Sequence, residues 1–129
     1  MKKVVLVGHC GPDASYLRMA VASADKSIKV LSADDSQALS RVLDHGADLL
    51  LLNRVLDGDF HDMPTGIDII RLLREKYPAV KMMMVSNYPE AHAAAVAVGG
   101  LAGFGKREIG MPKVGQLIRD ALGVAVTNT

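Results

Sequence analysis

The side chains able to do chemistry in this sequence stand at the ends of its apolar runs. Gly8, His9 and Cys10 follow Val4–Val7, and Asn53 and Arg54 follow four consecutive leucines. Ser86 and Asn87 follow Val80–Val85, and Lys106 closes the run that starts at Leu101. Imidazole beside thiol suits zinc or another transition metal. Neighbouring residues rarely aim at one ion, however, and His45 belongs at the far end of a helix, with only His61 able to approach. Arg54, Ser86 and Lys106 together offer a hydroxyl and cations, a set suited to an oxyanion. Between Asn53 and Thr65 the chain carries Asp57, Asp59, His61 and Asp62. These either bring carboxylates over the strand ends, for a cation or a partner's basic residues, or form a solvated acidic loop. Nothing in their spacing imposes convergence, so the solvated loop is the reading adopted.

Other chemistries are disfavoured by what is missing. Gly8-x-x-Gly11 lacks the full G-x-G-x-x-G order of a dinucleotide fingerprint, and Leu31 is followed by Ser32 and Ala33 rather than by an acid. No Ser-His-Asp arrangement or carboxylate pair stands at the run ends, and Ser86 has no base beside it, so no enzyme is expected.

The elements that must position these residues alternate. Val4–Val7 reads as a buried strand, and Leu17, Ala20, Val21 and Ala24 recur at helical spacing, with Asp13 or Ser15 as cap. Ile28–Leu31 is a short strand, and Ala38, Leu39, Val42 and Leu43 form a helical face that ends at Gly46. Leu49–Leu52 is apolar throughout, as in a strand buried on both faces. After the loop, Ile67, Ile70, Leu73 and Tyr77 mark a third helix stopped before Pro78. Val80–Val85 is the fourth strand, and Pro89 opens an alanine-rich helix, closed by Gly99-Gly100, on which His92 faces solvent. Leu101–Gly105 is a weak fifth strand. A last helix is striped by Val114, Leu117, Ile118, Ala121, Leu122 and Ala125, before a fraying Thr127-Asn128-Thr129 tail. Alternation of this kind predicts an α/β fold, a doubly wound parallel sheet of five strands with helices on both faces, as a single domain over residues 1–129.

Bulk properties agree. A chain of 129 residues, half of them hydrophobic, is long enough for one full core. Fifteen basic against fourteen acidic residues leave a charge of +1, which gives nucleic acid no clustered basic face. No apolar run approaches the roughly 18 residues of a spanning helix, so membrane attachment is not expected. A lone cysteine and a leaderless start point to a reducing, cytoplasmic setting.

With these run ends in place, the chain resembles the receiver domains of bacterial two-component signalling, from Lys3 to about Ala125. The resemblance implies a flavodoxin-like three-layer sandwich with strand order 2-1-3-4-5. It also implies a pocket at Gly8, His9, Asn53, Arg54, Ser86 and Lys106. In receivers an acidic pair after the first strand holds Mg²⁺, an Asp ending the third strand takes a phosphoryl group, and a Ser or Thr and a Lys contact its oxygens. Ser86 and Lys106 match the last two roles. The other two fail. Asn53 stands where the phosphoacceptor would be, and an amide oxygen is not a carboxylate nucleophile. Gly8 and His9, or His9 and Cys10 in a shifted register, replace the acidic pair, so Mg²⁺ binding is expected to be weak or absent and no cofactor is assigned. Arg107 replaces the usual Pro after the lysine. The family's switch aromatic lies three residues before the lysine, where Gly103 stands. Phe104, one residue later, is the candidate substitute and faces the other way unless the strand is bulged.

The expected function is thus a pseudo-receiver: a non-enzymatic protein-interaction module independent of Asp phosphorylation. Its partner is another protein or signalling domain, with a homodimer included. The resemblance places the contact on the fourth helix, fifth strand and fifth helix, near His92, Val96, Arg107, Glu108, Lys113, Gln116 and Arg119. The alternative is a receiver still switched by a cation or phosphoryl ligand through the Asp57–Asp62 loop. With no phosphoryl group to bind, Lys106 is expected to hydrogen-bond Asn53 or a backbone carbonyl, or to pair with Asp57 or Asp59.

Overall fold

A computed structural model describes residues 1–61 and 63–124; Asp62, Ala125 and the Thr127-Asn128-Thr129 tail lie outside the described residues. The elements are β1 (Lys3–Val7), α1 (Gly11–Ala24), β2 (Lys29–Ala33), α2 (Ser36–His45), β3 (Leu49–Asn53), α3 (Gly66–Leu73), β4 (Lys81–Val85), α4 (Pro89–Ala97), β5 (Leu101–Phe104), a 3₁₀ turn (Lys106–Glu108) and α5 (Pro112–Leu122). The strands form one parallel sheet in the order β2-β1-β3-β4-β5. The four leucines of β3 form its centre, buried on both faces. A four-residue apolar run between Asp48 and Asn53 is too short for a helix, which removes the ambiguity that leucine alone leaves.

Alternation along the strands splits the core into two. Val4, Leu6, Leu49, Leu51, Met83 and Val85 face α1 and α5. Their neighbours Val5, Val7, Leu50, Leu52, Met82 and Met84 face α2, α3 and α4. β5 departs from this rule. Met83 pairs with Leu101 and Val85 with Phe104, so between these pairs the single residue Met84 opposes two residues of β5, Ala102 and Gly103. This bulge returns Phe104 to the face of Leu101. It is 1% exposed there, in the core under α1 and α5.

Local chemistry accounts for the element boundaries. α1 starts without a side-chain cap: Cys10 is its N-cap residue, Pro12 supplies the fixed φ of the first turn, and Asp13 and Ser15 lie inside the helix rather than capping it. β2 starts one residue later than the sequence pattern implies, because the Ile28 N–H donates to Asp25 O at 3.3 Å and closes the turn before it. α3 ends at Leu73, short of Tyr77. Tyr77 precedes Pro78, whose ring disfavours helical backbone at the residue before it, and its hydroxyl donates to Asp44 at 3.0 Å. At the start of α3, Thr65 accepts from the Asp68 N–H at 3.3 Å, and Asp68 accepts from the Thr65 N–H at 3.1 Å. This capping box also fixes where the preceding loop ends. Thr65→Ala is expected to lower stability by about 1 kcal/mol, read as a shifted urea midpoint at unchanged slope.

Candidate functional site

The C-terminal ends of β1, β3, β4 and β5 bring most of the sequence-predicted residues to one edge of the sheet, but in an arrangement of their own. Gly8 has φ +69°, and its carbonyl accepts from Asn53 Nδ2 at 3.0 Å and from the Asp57 N–H at 2.9 Å. Asn53 Oδ1 accepts from the Arg54 N–H at 3.0 Å. The amide therefore uses both ends, as donor and as acceptor, in a site where it is only 9% exposed. A Cβ on Gly8 would sit 2.6 Å from Leu56 Cδ2. The space a first-strand carboxylate would need is thus filled by an apolar side chain.

The loop from Arg54 to Thr65 supplies that side chain. It is pinned by the Val55–Thr65 and Asp35–Asp59 bridges, and Phe60, 3% exposed, inserts into the core under α2, α3 and α4. Leu56 and Phe60 turn inward, whereas Val55, Asp57 and Asp59 turn out. Asp57 and Asp59 are exposed, and Asp59 Oδ1 lies 3.6 Å from His61 Nδ1. Among the described residues no three His, Cys, Asp or Glu side chains gather as ligands for a metal ion.

His9 is a buried member of the site, 6% exposed. Its Nε2 lies 2.8 Å from Leu51 O. A carbonyl can only accept, so Nε2 carries the proton and Nδ1 is bare, and Nδ1 has no hydrogen-bond partner. Burial pushes the His9 pKa below the usual imidazole value. The Leu51 bond opposes that shift, nearby Lys106 reinforces it, and Asp13 and Asp34 act against it. Ser86 is 4% exposed and accepts from the Tyr88 N–H at 3.1 Å, at the entry to α4. Arg54 leaves the pocket and lies over the Tyr88 ring, 4.7 Å from its centroid.

Lys106 pairs with neither Asn53, Asp57 nor Asp59. Its Nζ lies 2.9 Å from Asp13 Oδ2. That contact is the main cause holding the Asp13 carboxyl below its ordinary pKa, with burial opposing and Cys10 adding to it. Asp13 is the residue sequence reasoning missed. Read as a helix cap, it stands instead in the first turn of α1. The available signal was Pro12: once Pro12 marks the first turn, the next side chain rises toward the strand ends. His92 corrects a second expectation. It is not solvent-facing but part-buried, bonded to Ser86 O at 2.7 Å and to the Gly103 N–H at 3.1 Å. Arg119 likewise turns away from the α4 side, donating to Ala24 O of α1 at 3.1 Å.

These residues do not fit a resident Mg²⁺. Gly8 offers no ligand, Leu56 covers it, and the nearby carboxylate of Asp13 is already neutralised by a lysine. What the edge can do is hold one conformation by internal hydrogen bonds. A cavity of about 680 Å³ opens between α1 and the start of α5, lined by Lys106 on one side and bordered by exposed Tyr16, Met19 and Met111.

Neither a protein-family model nor a curated protein sequence matches the chain. Solved structures do. The receiver domain of the stress response regulator RcsB from Escherichia coli superposes with TM-score 0.72 at 18% identity, over 96% of this chain and 95% of that one. A response regulator from Chloroflexus aurantiacus gives TM-score 0.77 at 16% identity, over 95% and 98%. RcsB from Salmonella typhimurium gives TM-score 0.73 at 17% identity over 99% of this chain; the chain spans 63% of that protein and 27% of a solved NtrX chain from Brucella abortus. The fold is therefore that of a response-regulator receiver, with five parallel strands in the order 2-1-3-4-5 and helices on both faces. Among the described residues no helix is long and apolar enough to cross a membrane.

Proposed function

We propose that this chain is a pseudo-receiver: a non-enzymatic, cytoplasmic protein-interaction module of bacterial two-component signalling that works without Asp phosphorylation. One observation carries the reading. The side chain at the phosphoacceptor position is an amide hydrogen-bonded at both ends, to Gly8 O and to the Arg54 N–H, beside a glycine whose side-chain space Leu56 fills. The site lacks the nucleophile, and its cation position has no free carboxylate. Lys106 and Ser86, which the resemblance matches to the family's phosphoryl-contacting pair, serve Asp13 and the Tyr88 N–H.

A module of this kind acts through a surface held in one state. The α4–β5–α5 face retains exposed Val96 and the Glu108–Lys113 ion pair as contacts for a partner domain or a second copy. The test is incubation with acetyl phosphate and Mg²⁺, followed by intact mass and an acid-labile phosphate assay. An unmodified mass supports the reading. A stoichiometric, hydroxylamine-sensitive adduct would replace it with a receiver phosphorylated at another carboxylate, the first to examine being Asp57 and Asp59.

A further inference from the structure

α4 offers the sheet mainly small side chains, with Ala91 and Ala95 as its buried residues. Its one part-buried polar anchor is His92, whose ring spans the ends of two strands: Nε2 is 2.7 Å from Ser86 O after β4, and Nδ1 is 3.1 Å from the Gly103 nitrogen in β5. A backbone N–H can only donate and a carbonyl can only accept. Both contacts are hydrogen bonds in a single form of the ring, with Nε2 protonated and Nδ1 bare. The other neutral tautomer loses both. The imidazolium keeps the Ser86 bond but turns an N–H toward the Gly103 N–H.

The bulge explains why a side chain is needed there. The register shift between Met83 and Val85 takes Gly103 out of the paired ladder, and the residue inserted by a bulge lacks a strand partner. His92 Nδ1 supplies the acceptor. Gly103 also has no room for a side chain of its own, since a Cβ would lie 2.2 Å from Met84 O.

We propose that His92 is a neutral-imidazole latch that fixes α4 against the β4–β5 edge, and that its protonation releases the Gly103 bond and loosens the α4–β5 face. Acidity would thus act on the surface that phosphorylation governs in active receivers. The latch itself does not depend on what binds that face. The charged groups around the ring come from several elements. Glu108 of the 3₁₀ turn and Arg107 beside it line the same cleft as the ring. Lys113 of α5 is bound to Glu108. Glu90 of α4 lines the separate cleft beside Arg54 and Tyr88, and Arg74 beyond α3 meets α4 only at its far end, near Gly99. The groups from β4 and β5 that touch the ring are uncharged.

The test is NMR on the intact chain. Long-range ¹H–¹⁵N spectra read the two ring nitrogens directly, and Nδ1 is expected to be the unprotonated one at about pH 7.5. Hydrogen exchange of the Gly103 amide, expressed against the unstructured-chain rate at each pH, is then compared at about pH 7.5 and about pH 5, with the Leu50 and Leu51 amides as the global reference. Relative to that reference, wild-type protection at Gly103 is expected to fall at least about tenfold on acidification. His92→Gln, which can both donate and accept but does not titrate, is expected to stay flat, and His92→Ala to be low at both pH values. A protonated Nδ1 at neutral pH, a Gly103 amide that tracks Leu50 and Leu51 throughout, or a Gln variant with the wild-type pH response would each overturn the latch. The tautomer and the Gln variant keep the test valid if His92→Ala fails to fold.

Discussion

Asn53→Asp is expected to destabilise the protein by about 2–3 kcal/mol at neutral pH and to leave it unable to accept a phosphoryl group. The substitution restores the family's acceptor residue on paper. In this pocket it removes the Nδ2 donor and turns a carboxylate oxygen toward Gly8 O, 3.0 Å away in the wild type, at a position 9% exposed. Gly8 O keeps the Asp57 N–H as a donor, so the cost is repulsion and desolvation of the new charge rather than a wholly orphaned carbonyl. The protonated carboxyl can donate to Gly8 O where the carboxylate cannot, so folding raises the pKa of the new group. The deficit relative to wild type should therefore be full well above that raised value and should shrink as pH falls through it. Urea unfolding of both proteins at several pH values measures this. Equal stability of the two at neutral pH would mean that the Asn53–Gly8 bond contributes nothing.

His9 should make the fold acid-sensitive in a window set by its own shift. Its folded pKa is lowered, chiefly by burial, while the unfolded chain titrates near 6.5. At higher pH both states are neutral and the fold is at full strength. Below about 6.5 the unfolded chain gains a proton that the folded one refuses, so stability falls by at most about 1.4 kcal/mol per pH unit until the lowered folded value is reached. Asp13 acts separately: its folded pKa is depressed, so its contribution is complete above the ordinary carboxylate value and is lost only as pH falls below it. His9→Gln, able to donate to Leu51 O without titrating, should flatten the slope between about pH 6.5 and 5. His9→Ala, which leaves a cavity and removes the side-chain bond to Leu51 O, should cost about 2–4 kcal/mol at neutral pH. Equilibrium unfolding across this range decides the matter: a wild-type slope unchanged in His9→Gln would assign the acid sensitivity elsewhere.

Both results concern residues whose positions were legible in the sequence and whose partners were not. The four leucines, the glycine-closed helices and the run-end placement of Gly8, Asn53, Ser86 and Lys106 are local patterns, and strand and helix periodicity reads them directly. The partner of Lys106 depends on where one helix begins, a boundary shifted by Pro12. The side of the sheet that Phe104 takes depends on a bulge, which a short, glycine-containing strand does not announce. His92 looked like surface because its neighbours are alanines, and its two partners come from separate strands. Leu56 over Gly8 depends on the path of a loop with no periodicity at all. Local pattern placed the backbone, whereas the contacts that decide what the pocket can do are long-range.

The most direct test of the account is an amide NMR titration with Mg²⁺ followed by beryllofluoride, a phosphoryl mimic. A pocket occupied by its own hydrogen bonds gives no saturable shifts at Gly8, Asn53, Ser86 or Lys106 at millimolar concentrations of either. Saturable shifts at those amides that spread to α4 and β5 would contradict it and show a receiver still switched by ligand.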